Sequence, residues 1–240
     1  MTKRYLALDL ETARLTDAAS DWRGQRPLGI TCVALLGSDQ DLPQLWHGAN
    51  SDGTPTPRMT PAELGALLAH LQHMVDSGYT LLSWNGLGFD WEILAEESGD
   101  LASCRKFALD HVDLMFHIFC QKGFAVSLDK AAQGLGFPGK PPGMTGRMAP
   151  QLWAEGHHAE VLKYVAQDVR AAIGIATESE RRSAFAWVTS RGSRSSMPLP
   201  AGWLSVKAAC RLPLPDTSWM DDPWPREKFT GWLALPGSRK

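Results

Sequence analysis

Three small constellations in this sequence carry residues able to do chemistry. Asp9 and Glu11 stand two apart at the end of the apolar run YLALDLET. On a strand they point to one face, while Leu8 and Leu10 point to the other. Two adjacent carboxylates repel and raise each other's pKa, and a divalent cation removes that conflict. A solvated acidic strand face is the plainer reading, weakened by the apolar residues around the pair. The second constellation is LLSWNGLGFDWEIL, in which the turn dipeptide Asn85-Gly86 is followed by Gly88, Phe89 and Asp90. Two glycines between a strand and a helix permit close approach by a ligand, although Asp90 alone also reads as an ordinary helix-start acid. The third is YVAQD, where Tyr164 and Asp168 share one helix face, a spacing that also suits the polar edge of an amphipathic helix.

Elements must hold these groups in place. Residues 5–10 and 30–37 read as buried strands, QLWHG as a short one and TLLSWN as a fourth. Thr60-Pro61 with Glu63 marks a helix start, and Leu64, Leu67, Leu68, Leu71 and Val75 form its apolar face up to a stop at Gly78. FDWEILAEESG predicts a helix, FALDHVDL a fifth strand, LMFHIFCQKG a helix, and SLDKAAQGLG a helix opened by Ser127. FPGKPPGMTG reads as a loop, and residues 158–188 as one long helical pattern. This order predicts an α/β fold with a mixed sheet. From Ser190 onward the texture changes: residues 197–236 hold seven prolines and four tryptophans, Trp203, Trp219, Trp224 and Trp232. The expected division is a domain over 1–188 and a C-terminal extension over 189–240, with one short helix at REKFTGWLAL. As a packed lid, the extension would lose stability when Trp219 or Trp224 is cut to Ala. As a binding surface, it would lose affinity instead.

The chain has 240 residues, 44% hydrophobic and 21% charged. That composition excludes disordered, collagen-like and disulfide-scaffold classes. No apolar run approaches the roughly 18 residues of a membrane span. The N-terminus meets Asp9 too early for a signal peptide, so the expected location is cytoplasmic, away from membranes. Cys32, Cys104, Cys120 and Cys210 are scattered and read as buried reduced thiols. Net charge is −2, too little to coat nucleic acid by charge alone. Yet residues 1–100 hold 6 Lys and Arg against 14 Asp and Glu, and residues 101–212 hold 14 against 8. An acidic half beside a basic half suits a site that gathers metal ions and then a polyanion, and chance clustering of surface charge fits equally well.

Taken in order, the three constellations resemble the DEDD superfamily of 3′–5′ exonucleases, whose fold is ribonuclease H-like. The spacing of five from Asn85 to Asp90 is similar to that in the exonuclease domain of family B DNA polymerases. HVDLM, SLDKAA and GFPGKPPGMTG are similar to stand-alone predicted exonucleases related to that domain, and the resemblance spans roughly residues 4–180. One branch carries His five residues before the last acid, where this chain has Lys163. The other carries Tyr four before it, here Tyr164, which implies the tyrosine (DEDDy) subtype. His157 and His158 lie too far upstream for the histidine role.

The resemblance implies that Asp9, Glu11, Asp90 and Asp168 bind two divalent ions, Mg2+ or Mn2+, that grip the scissile phosphate, activate water and stabilise the leaving 3′-oxygen. Tyr164, with an ordinary pKa near 10, would orient the water rather than act as base. Thr12 and the Leu10 backbone would contact the terminal nucleotide. Asn85 and Phe89 would position the strand, and Lys140 would touch a phosphate or simply face solvent. Asp113 would assist the metals or serve structure. The implied activity releases nucleoside 5′-monophosphates from single-stranded 3′ ends, DNA in preference to RNA. The alternatives are an exoribonuclease acting on short RNA, a catalytically inactive nucleic-acid-end binding module, and an endonuclease of the ribonuclease H type, in which Tyr164 would have no purpose.

Overall fold

Strand β1 (Arg4–Thr12) is buried along both faces, which places it in the middle of a sheet. It pairs antiparallel with β2 (Ile30–Gly37), which pairs antiparallel with β3 (Gln44–His47). On its other side β1 pairs in parallel with β4 (Tyr79–Ser83), and β4 in parallel with β5 (Val112–Asp113). The mixed five-stranded order is β3-β2-β1-β4-β5. The computed structural model describes residues 3–17, 20–138 and 145–234.

Helices cover both faces. Leu6, Leu8, Leu10, Val33 and Leu35 pack in one core with α1 (Pro61–Asp76), α2 (Asp90–Ser98), α3 (Leu101–Asp110) and α4 (Leu114–Lys122). Tyr5, Ala7, Cys32, Ala34 and Leu36 pack in the other with α5 (Leu128–Leu135), α6 (Ala149–Ala154) and α7 (His158–Arg182). Asp9 and Glu11 continue the Tyr5–Ala7 face, so α7 is the helix that overlies them.

Local chemistry explains most boundaries. Thr60 and Glu63 form a reciprocal capping box at the start of α1. Asp100, Asp113 and Ser127 cap α3, α4 and α5, each accepting a backbone N–H. In the last turn of α5 the glycine is required by packing: a methyl group at Gly134 would lie 2.2 Å from the Trp187 backbone.

Three expectations need correction. The apolar face of α1 closes on Met74, which is buried, while Val75 is only partly covered. FALDHVDL is mostly helix: the Asp100 cap and the inward spacing of Cys104, Phe107 and Ala108 carry α3 through Asp110, leaving a two-residue strand. The long helical pattern ends at Arg182, where Ser183 turns left-handed at φ 52. The β-favouring AFAWV then forms β6 (Ala184–Val188), paired antiparallel with β7 (Arg194–Pro198) across residues 188 and 189.

Beyond β7 lie α8 (Val206–Ala209) and α9 (Glu227–Thr230), followed by a 3-10 turn, Gly231–Leu233. Trp203 is fully buried and donates from Nε1 to the Ala176 carbonyl of α7 at 3.2 Å. Phe229 packs on Phe116 and Phe119 of α4. Trp219 and Trp224, in contrast, are 64% and 45% exposed, so packing against the sheet does not involve them.

Candidate active site

The end of β1 is shaped by a bulge. Glu11 pairs with Cys32 and Thr12 with Ile30, so Thr31 has no strand partner and its hydroxyl donates to the Glu11 carbonyl at 3.0 Å. Glu11 is buried to 7% exposure beneath α7. Burial, with the Glu11 and Asp9 carboxylates nearby, pushes the Cys32 thiol far above its ordinary value. Cys32 is therefore an inert thiol beneath the acid pair.

Asp90 begins α2, but its carboxylate turns inward. Its Oδ1 accepts from the backbone N–H of Leu10 at 3.1 Å. Burial pushes this carboxyl up to about 7, with Asp113 and Asp168 adding repulsion and the backbone hydrogen bonds opposing. Tyr164 and Asp168 arrive from α7 on one face, one turn apart. A methyl group built on Gly146 would lie 3.7 Å from the Tyr164 hydroxyl and 3.8 Å from a Glu11 carboxylate oxygen, so both groups face the same gap.

A single pocket of about 290 Å³ is lined by Asp9, Leu10, Glu11, Thr12, Asn85, Phe89, Asp90, Tyr164 and Asp168. Nine residues singled out by sequence thus converge from β1, α7 and the turn before α2. Lys140 lies outside the described residues. His157 is exposed beside Glu160, and His158 packs on Trp153, both away from the acids.

Asp113 does not line the pocket. It is buried, and its carboxylate accepts from the N–H groups of Asn85 at 3.0 Å, Leu87 at 2.9 Å and Phe116 at 3.0 Å. Burial raises its carboxyl to about 6 against those hydrogen bonds. Ser83 Oγ accepts from Gly86 N–H and bonds the His111 ring at 2.9 Å, completing the support of the turn.

Sequence reasoning missed Arg14, Leu15, Thr16, Trp84, Arg147 and Pro150, which also line the pocket. Trp84 had a signal, since it precedes the Asn85 turn directly. Arg14, Leu15 and Thr16 lie on a loop whose direction has no periodic trace in sequence, and Arg147 and Pro150 lie in the 3-10 turn and first turn of α6 that follow the Pro/Gly-rich stretch.

The four carboxylates offer hard oxygen donors only, the type that Mg2+ and Mn2+ take. Glu11 and Asp90 are buried, and the burial of Asp90 and its repulsion by Asp168 are what such a cation would relieve. Among the described residues no three acidic, imidazole or thiol side chains already stand grouped to hold an ion. The donor chemistry fits the metals, and binding would draw the carboxylates together.

A larger cavity of about 890 Å³ adjoins the pocket through Thr16 and Arg147. Arg23, Arg26, Arg147 and Lys228 in its wall are matched by Asp17, Asp21, Glu92 and Glu227, so charge gives it no preference for a polyanion. Arg23 and Arg26 are both engaged by buried Glu92.

Residues 54–178, just over half the chain, match the family RNase_H_2 of the RNase_H superfamily. The chain belongs to the RNase_H superfamily. Its mixed sheet with helices on both faces is the ribonuclease H-like fold. A solved structure with the same fold is the family B DNA polymerase from the hyperthermophilic archaeon Pyrobaculum calidifontis, 17% identical, with a TM-score of 0.54 over 75% of this chain and 25% of that one. This superfamily member therefore spans about a quarter of the polymerase's length. E. coli Exonuclease I in complex with a 5cy-dA13 oligonucleotide is also 17% identical, with a TM-score of 0.38 over 75% of this chain and 41% of that one. Comparison with curated proteins gives no match. Among the described residues, no helix of this RNase_H-superfamily chain is long and apolar enough to cross a membrane.

Proposed function

We propose that this protein is a metal-dependent 3′–5′ exonuclease of the tyrosine DEDD type, hydrolysing single-stranded nucleic acid, DNA in preference, to nucleoside 5′-monophosphates. The observation that carries this reading is the single pocket into which Asp9, Glu11, Asp90, Asp168 and Tyr164 converge from three separate elements. Its likeness in fold to a family B DNA polymerase over 75% of this chain is in keeping with that reading. We take residues 1–188 as the unit that carries the chemistry and 189–240 as its extension.

Asp9, Glu11, Asp90 and Asp168 would hold Mg2+ or Mn2+. When bound, such ions neutralise phosphate charge and lower the pKa of water. Asp90, held near neutrality by burial, reaches its ionised form most readily when a cation is present. The Tyr164 hydroxyl faces the gap it shares with Glu11 and orients the attacking water there. Thr12 and the backbone at Leu10 edge the place of the terminal nucleotide. Phe89 offers a ring for stacking and Asn85 a polar contact to the strand. Arg14 and Arg147 bring positive charge to the rim, where a phosphate would lie.

The test is a digestion panel of 5′-labelled single-stranded DNA, duplex DNA and RNA, each with Mg2+, Mn2+ or EDTA. Progressive shortening of single strands that EDTA stops is expected. Persistence in EDTA, or early release of the 5′ label, refutes the reading. RNA cut faster than DNA would reassign the substrate.

A further inference from the structure

The turn that carries Asn85, Phe89 and Asp90 does little to support itself. Asn85 is left-handed at φ 68, and Phe89 sits at φ −148 and ψ −73. The backbone bonds inside the turn are Gly88 N–H to the Asn85 carbonyl at 3.0 Å and Phe89 N–H to the Gly86 carbonyl at 3.4 Å. On one side Asp113 and Ser83 hold its amides, as described above. On the other side lies the C-terminal extension.

Trp232 Nε1 donates to the Leu87 carbonyl at 2.8 Å. The N–H of the same buried residue is held by Asp113, so Leu87 is gripped from both sides. Phe229 presses on the neighbouring glycine: a methyl group at Gly88 would lie 2.9 Å from its ring. The extension is itself anchored. The Arg226 guanidinium donates to the carbonyls of Cys120, Cys210, Leu212 and Pro213. Arg105 of α3 donates to the carbonyls of Trp232 and Ala234 at 3.2 and 2.7 Å.

We propose that the C-terminal extension is a working part of the active site, with Trp232 as a positioning residue that fixes the Asn85–Asp90 turn through the Leu87 carbonyl. It rests on the exonuclease reading for its catalytic consequence. Without the indole N–H, the buried Leu87 carbonyl loses its partner. The turn then relaxes towards solvent and carries Asn85 and Asp90 with it. A displacement of about 1 Å at a reacting centre costs roughly 100-fold in rate.

The experiment compares full-length Trp232→Phe, which keeps a ring and removes the donor, with Trp219→Ala, an exposed tryptophan that does not touch the turn. Hydrogen exchange of the peptide spanning residues 84–90 should quicken by about 10-fold in Trp232→Phe and stay unchanged in Trp219→Ala. With single-stranded DNA and Mn2+, kcat should fall roughly 10-fold or more while KM stays within about 3-fold. A merely structural role would instead reduce the active fraction and the melting temperature together. Arg105→Gln, which loosens the same strap from its far side, should shift the same exchange in the same direction and serves if Trp232→Phe does not fold. Unchanged exchange overturns the proposal, as does quickened exchange with kcat intact. A wild-type chain that cuts no nucleic acid refutes the exonuclease reading, and exchange alone then decides whether the extension braces the turn.

Discussion

Asp90 Oδ1 accepts the backbone N–H of Leu10 at 3.1 Å, which ties the start of α2 to the residue between Asp9 and Glu11. The Leu10 side chain faces the other way, into the core beneath α1 and α2. One residue therefore joins the packed interior to three of the four acids, and any shift of β1 moves them together.

Removing an acid should abolish turnover and leave the fold intact. For Asp9→Ala and Asp168→Ala, the rate should fall below about a hundredth of wild type, since several kcal/mol of transition-state stabilisation are lost. Melting temperature in EDTA should hold or rise, because a repelling charge is gone. A variant that retains more than that rate contradicts the assignment.

Tyr164→Phe keeps the buried ring and removes only the hydroxyl. If that hydroxyl orients the water, kcat should drop about 10²–10⁴-fold with little change in DNA affinity. Single-turnover rates and binding isotherms on the one variant separate the two effects. A near-normal kcat would leave the acids alone in the mechanism.

The pH profile of stability has opposing parts. Asp90 at about 7 and Asp113 at about 6 are raised from the ordinary 3.8, so between those limits the folded chain holds protons that the unfolded chain has released. Their contribution is full below the unfolded value and is lost as pH rises through the folded values. Burial lowers His111 and His117 to about 4 from 6.5, and their contribution is full above 6.5 and lost as pH falls. Asp90→Asn removes one falling part. In EDTA it should therefore gain on wild type between pH about 4.5 and about 7.5, read by urea unfolding. An equal difference at both pH values would show that Asp90 does not titrate there.

Asp113→Asn exchanges an acceptor for a donor beneath amides that need acceptors. A loss of about 2–3 kcal/mol is expected by chemical denaturation. The variant should also lose activity beyond its unfolded fraction, because Asn85 and Asp90 ride on that turn. Activity that simply follows the folded fraction would limit Asp113 to stability.

The tryptophans of the extension should separate by burial. Trp203→Ala should cost about 3–5 kcal/mol. Trp219→Ala, at 64% exposure, should stay within about 0.5 kcal/mol. Thermal melts of both variants decide this, and similar losses would contradict the packing.

The acid pair and the Tyr164–Asp168 pair were legible because strand and helix periods place side chains by arithmetic. The helix starts at Thr60 and Ser127 were legible because capping is local. Asp113 was not, since its role depends on amides 26 to 28 positions earlier in the chain, met only once β4 and β5 pair. The tryptophans misled for a related reason: Trp203 and Trp219 look alike in a proline-rich stretch, and only the path of the backbone buries one and exposes the other. The fifth strand was placed but made too long, because residues 107–110 suit the end of a helix equally well and only Val112–Asp113 remain as β5.

Tyr5 Oη donates to Glu180 Oε1 at 2.6 Å, and this contact makes β1 and α7 two matched rulers pinned at one end. From that pin the strand runs about 20 Å to Glu11 at its rise per residue. The helix runs back about 18 Å to Asp168 at 1.5 Å per residue. The two lengths agree to within about 2 Å, and Glu11 and Asp168 line the same pocket. An inserted residue between Asp168 and Glu180 would advance the helix by only about 1.5 Å but turn it by roughly 100°, swinging Asp168 off the strand. The family of sequences able to keep this site should therefore vary freely in length at the exposed turn over 189–193 and scarcely at all between those two acids.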